Sequence, residues 1–231
     1  MPDGVVYIGK LAYTTKGNLD TCYIRSGTTH IKFGKVDFKT IYIPDTVIEI
    51  MPYAFAESKV ENVHIADGEN RLTIGEYAFS KCNNIKYLNF PTRLQSIGDY
   101  AFEFTPFGGV TIPNNISYLG EGAFSGCPNL KYATIECGIN ELPDKLLYNC
   151  EKLENVVVGE GVEYIGMRAF SKCPKLLNVE LPESLKRMAS NAFWMNKWDE
   201  PETIHIIAKK GTYGEVFAHN HGFVFVEEGK Q

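Results

Sequence analysis

The residues best equipped for chemistry in this 231-residue chain are six cysteines, five histidines and a few clustered acids. The cysteines are Cys22, Cys82, Cys127, Cys137, Cys150 and Cys173, and an even count invites a disulfide framework. Their spacing argues otherwise. Cys82, Cys127, Cys150 and Cys173 each stand three residues after a paired apolar step, and the same register elsewhere holds Ser58, Thr105 and Asn196. A column of Cys, Ser, Thr and Asn reads as a buried ladder of small side chains, where a thiol acts as a small hydrophobe with a weak donor. Ladder side chains point the same way, which opposes bridging. No close Cys-x-x-Cys pair offers a zinc site.

Other candidates carry less. His219 and His221 in "AHNHG", with His205 nearby, raise the question of a metal, but histidine near a helix C-terminus is favoured by the helix dipole alone. The acidic insertion "DGENR" at 67–71 offers too few oxygens for calcium, which takes about six to eight. Asn115-Ile-Ser117 matches a glycosylation acceptor. Glycines recur singly, so no phosphate-cradling loop forms. No acid–base pair or activated nucleophile emerges, so the expectation is a protein that is not an enzyme and holds no metal or cofactor.

What positions these residues is a repeat. The pairs Ala54-Phe55, Ala78-Phe79, Ala101-Phe102, Ala123-Phe124, Leu146-Leu147, Ala169-Phe170 and Ala192-Phe193 recur at intervals of 22 to 24 residues. A period in the twenties means a solenoid of stacked coils. Each pair is followed by a short alternating step, such as Val63 and Ile65, Val110 and Ile112, or Val156 and Val158, which reads as a strand with one buried face. Pro44, Pro91, Pro113 and Pro182 end four of these strands. A later slot holds Gly75, Gly98, Gly120 and Gly166 but Met51, Pro143 and Ala189 in other copies. Proline cannot take positive φ, so crowding rather than handedness favours glycine there.

The unit, as in "NIKYLNFPTRLQSIGDYAFEFT" and "KLENVVVGEGVEYIGMRAFSKC", resembles the leucine-rich repeat of the BspA-like surface proteins, over about residues 22 to 231. The expected fold is therefore a β-rich solenoid of leucine-rich-repeat type. It has a curved parallel sheet on the concave face, short irregular turns on the convex face, an N-terminal hairpin cap and a C-terminal strand-helix-strand cap. One domain is expected over 1–231, with a cap at 1–21, repeats of about 23 residues over 22–196 and a second cap over 197–231. The segment 22–36 reads as a degenerate first coil. A Thr212-x-x-Glu215 capping box opens the terminal helix and Gly222 ends it. Trp194 and Trp198 are expected to cover the last apolar face, the alternative being an exposed dimer or partner contact.

Net charge is −5 with both signs mixed along the chain, which excludes the basic stripe of a nucleic-acid binder. No apolar run approaches a membrane span. The start "MPDGVVYIGK" lacks the basic head and apolar stretch of a secretory signal. The resemblance implies export and surface display behind a leader outside this chain, and a cytoplasmic protein with its natural start is the alternative.

Outward strand positions vary between copies while inward ones barely do. From those columns come the candidate partner-binding residues Tyr42, His64, Tyr87, Asn89, Thr111, Tyr132, Thr134 and Glu180. Aromatic and polar groups mixed in this way anchor protein contacts. The resemblance implies a protein partner, such as a host matrix or cell-surface protein, held by an adhesion module. The alternative is a spacer domain with no ligand site.

Overall fold

A computed structural model describes residues 4–15, 19–136, 138–194 and 203–229. Its alternating apolar steps do form strands, and copies one period apart pair in parallel and in register, as in Thr40–Ile43 with Asn62–Ile65. The chain is a parallel β-solenoid with, among the described residues, one short helix, Tyr213–His221. Two compact units are distinguished, one comprising Met1–Phe107 with Asn115–Phe124 and the other Gly108–Asn114 with Ser125–Gln231.

Each unit holds two sheets. In the first, strands Thr21–Tyr23, Thr40–Ile43, Asn62–Ile65 and Tyr87–Leu88 form a four-stranded parallel sheet. A seven-stranded sheet begins with the antiparallel hairpin Val5–Ile8 and Leu11–Thr15 and continues in parallel to Tyr118–Leu119. In the second unit, six parallel strands run from Gly109–Ile112 to Val224–Glu227, beside a three-stranded sheet of Glu141–Leu142, Tyr164–Ile165 and Arg187–Met188. The second sheet of each unit falls where irregular turns were expected. Beyond the hairpin most of its strands are two residues long, shorter than one alternation in sequence.

The segment expected to be degenerate is a full coil. Thr21–Tyr23 and His30–Ile31 enter the two sheets of the first unit, and Phe33 meets Phe55 edge-on at 5.6 Å in place of a paired step. Phe55, Phe79, Phe102 and Phe124 then stack in a buried column at 5.0, 5.4 and 5.3 Å. A left-handed residue flanks most of the pairs on both sides: Tyr53 and Glu57, Tyr77 and Lys81, Tyr100 and Phe104, Gly122 and Gly126, Lys145 and Asn149, Arg168 and Lys172. Between them the N–H groups alternate. Tyr53, Phe55 and Glu57 donate to the next coil (Glu76, Ala78, Ser80), whereas Ala54, Ala56 and Ser58 donate back within their own. That pattern satisfies every donor of the turn without a sheet.

The glycine slot behaves as expected. A Cβ on Gly75 or Gly98 would lie 2.6 Å from the backbone nitrogen of Pro52 or Glu76, and neither glycine has positive φ. The small-residue column is a hydrogen-bonded ladder. Cys82 donates to the Phe55 carbonyl at 2.9 Å, Thr105 to Phe79 at 3.2 Å and Cys173 to Leu147 at 3.2 Å. Among the described residues no disulfide joins the cysteines, and Cys137 lies outside them. Burial pushes the Cys82 thiol up to about 12 and the Cys173 thiol well above its ordinary value. The thiolate is the reactive form. Iodoacetamide should therefore label Cys82 and Cys173 at least about 100-fold more slowly in the native protein than in urea. Site-resolved mass spectrometry checks this, and equal rates in both states would remove the ladder.

At the C-terminal end the expected strand-helix-strand cap forms from His205–Ala208, Tyr213–His221 and Val224–Glu227, but the side chains that close it are phenylalanines. Phe217 and Phe223, 4% and 7% exposed, cover Phe193 at 6.0 and 5.3 Å. Trp194 is 40% exposed and lies under the Arg168 guanidinium at 4.8 Å, so it does not close the core. Trp198 lies outside the described residues. The capping box does not form: Glu215 reaches past the cap residue to accept from the Gly211 N–H at 2.6 Å, while the Thr212 hydroxyl donates to the Lys209 carbonyl instead of capping the helix. Gly222 ends the helix at φ 75°.

Candidate functional site

In the first unit the sheet's outward face carries a stack of rings. Tyr42 lies between Tyr23 at 4.8 Å and His64 at 4.6 Å, with planes within 4° and 9°. Tyr87 belongs to the neighbouring column by register, opposite Asn62, yet its ring reaches His64 at 5.0 Å. Parallel in-register pairing sets this geometry, because equivalent side chains one coil apart are held at the interstrand spacing of about 4.8 Å. The phenols are well exposed, Tyr23 at 61%, Tyr42 at 40% and Tyr87 at 47%. Beside the stack lies a depression of about 370 Å³, with Ile24, Ile43, Ile65 and Pro44 in its wall.

Asn89 lines the same depression, but its amide is committed to the fold. Its Oδ1 accepts from the Ile65 N–H and its Nδ2 donates to the Ile65 carbonyl, both at 2.8 Å. The strand stops at Leu88, and the amide replaces the backbone pairing beyond it. Asn89 therefore positions the neighbouring coil and offers a partner one remaining N–H. Sequence reasoning missed Tyr23, although the alternation of Cys22 and Ile24 about it carried the signal.

The remaining four candidates stand on the second unit's six-stranded sheet. Thr111 pairs in register with Thr134, and Tyr132 with Asn155. Glu180 lines a smaller depression of about 210 Å³ with Asn155, Asn178 and Val157. Asn178 Nδ2 donates to Asn155 Oδ1 at 2.8 Å. The eight residues thus fall into two groups, one per unit. The other sequence candidates have structural roles. His221 Nδ1 sits 3.0 Å from the Phe217 carbonyl and His219 lies 3.8 Å from Glu215. The acceptor nitrogen of Asn115 already donates to the Leu94 carbonyl.

The BspA type leucine rich repeat region matches this chain in six copies, over residues 6–131 and 72–198. The chain belongs to the BspA-type leucine-rich repeat family. A comparison with curated proteins finds no match. Among solved structures, a leucine-rich repeat protein from Bacteroides ovatus is similar to this BspA-type repeat with a TM-score of 0.56 and 21% identity, over 90% of this chain and 68% of that one. A leucine-rich repeat protein from Eubacterium ventriosum gives 0.50 and 17%, over 77% and 82%. A leucine rich cell surface protein from Faecalibacterium prausnitzii gives 0.33 and 17%, over 96% and 91%. These likenesses concern the fold. Among the described residues of this BspA-type chain, no helix is long and apolar enough to cross a membrane.

Proposed function

We propose that this chain is a non-catalytic protein-binding module displayed on a bacterial cell surface, contacting its partner through outward sheet faces. The exposed stack of Tyr23, Tyr42, His64 and Tyr87 carries this reading. Tyrosine combines a large apolar body with a polar tip and is enriched in interface cores. Rings already held against one another lose little rotamer freedom on binding, which lowers the cost of association. The absence of formal charge at the stack suits an uncharged patch of the partner. Surface display and a host matrix or cell-surface partner are supported by the resemblance to BspA-like surface proteins.

The test replaces Tyr23, Tyr42 and Tyr87 together by alanine and compares capture of host matrix and surface proteins with that of the parent chain. Binding of a captured partner should weaken by at least about 30-fold, the loss of a single strong anchor. Unchanged capture by a folded variant, or no capture of any bait by the parent chain, removes the proposal and leaves a spacer domain.

A further inference from the structure

The second unit presents a different kind of surface. A Cβ placed on Gly109 would lie 2.0, 2.2 and 2.5 Å from Cζ, Cε2 and Cε1 of Tyr132. Near-equal distances to three ring carbons put that point over the ring's face, so the phenol lies across the glycine. Only glycine leaves room for it. Tyr132 is 55% exposed, and the face turned away from Gly109 is open to solvent. The tyrosines of the first unit stack ring on ring, whereas this one is laid on a glycine.

Around that platform the polar side chains are idle. Elsewhere in the solenoid small polar groups are tied to the adjacent coil: Thr46 to Thr28, Thr105 to Phe79, Ser184 to Val162. On this sheet, Asn155 and Asn178 share one hydrogen bond, which leaves the Asn155 N–H₂ and the Asn178 oxygen outward. Among the described residues no hydrogen bond engages the Thr134 hydroxyl or the Glu180 carboxylate. Two amides and one carboxylate thus line the depression of about 210 Å³, and the Tyr132 ring and the Thr134 hydroxyl stand on the neighbouring strand, Tyr132 opposite Asn155.

We propose that this face is a subsite for a neutral saccharide, with one pyranose ring laid on Tyr132. The C–H face of a pyranose is apolar and fits a flat aromatic surface. Its equatorial hydroxyls, each both donor and acceptor, match amides and a carboxylate that have unused sites. Glu180 accepts from sugar hydroxyls and repels acidic sugars, so the subsite selects neutral glycans over uronates. This goes beyond the protein-contact reading, which depends on the other unit, and either can fail alone.

The test uses the full chain with cellohexaose, maltohexaose, laminarihexaose, mannohexaose and chitohexaose as probes, and hexagalacturonate as the acidic counterpart. Saturation-transfer NMR and titration calorimetry read binding. At least one neutral hexasaccharide should bind, and hexagalacturonate should not. Tyr132→Ala and Gly109→Ala, which lifts the ring, should each weaken binding at least tenfold. Tyr132→Phe should retain it, and Tyr42→Ala should leave it unchanged. Silence from all five neutral probes, equal binding of hexagalacturonate, or unaltered affinity in folded Tyr132→Ala overturns the proposal.

Discussion

Phe102→Ala is expected to lower the stability of the chain by about 3–5 kcal/mol. The ring is fully buried and sits between Phe79 and Phe124 with planes within 7° and 14°. Phe90 and Phe107 meet it edge-on at 5.5 and 5.6 Å. Removing it therefore takes contacts from both neighbouring coils and from the two phenylalanines that flank them. In a solenoid, stability is close to a sum of coil terms and nearest-neighbour interfaces, so one truncation weakens two interfaces together. Urea unfolding would show a lower midpoint and, as cooperativity across the break fails, a shallower slope. Tyr87→Ala, on the exposed stack, should cost less than about 1 kcal/mol. Comparable costs for the two variants would mean that the phenylalanine column repacks around its gap.

This contrast reflects what a single sequence makes legible. The buried column showed itself as a period because every coil needs the same residue at the same place. Crowding at Gly75 and Gly98 was legible too, because the proline, methionine and alanine in other copies ruled out a handedness requirement. The second sheets were not, since strands such as Glu49–Ile50 are shorter than one alternation. Nor were the left-handed positions, most of which are held by Tyr, Lys, Arg, Asn and other residues that do not advertise positive φ. The site was half legible. Exposed columns could be laid out by register, but which way a ring leans could not. Tyr87 crosses to His64 because the strand ends after Leu88, and Tyr132 lies flat because Gly109 precedes it by one coil. Both outcomes depend on a neighbour one turn away rather than on the residue's own position.

Arg93 shows the same dependence on neighbours with a larger expected effect. It is only 5% exposed, and its guanidinium donates to four backbone oxygens: Ala66 at 2.8 Å, Val47 at 2.6 Å, and Asn70 and Pro44 at 3.2 Å. Burial pulls its pKa down, offset in part by the Asp45 and Asp67 carboxylates nearby, and it stays charged throughout the working range. The oxygens belong to two earlier turns of chain, one of them lengthened by the insertion at 67–71. The fork of Arg93 ties these two turns together around the insertion, and of the four carbonyls Pro44 also accepts from the Val47 N–H. Arg93→Ala should therefore cost about 3–5 kcal/mol, as expected when one partner leaves a buried charged network. Arg93→Met, which keeps the stem, should cost nearly as much, because the penalty lies in the stranded carbonyls. Lysine cannot bridge all four from a single ammonium and should recover only part of the loss. Hydrogen exchange at residues 66–72 should become fast in each variant while the second unit keeps its protection. Wild-type stability in Arg93→Met would show that water serves those carbonyls as well as the guanidinium does, and that the insertion supports itself.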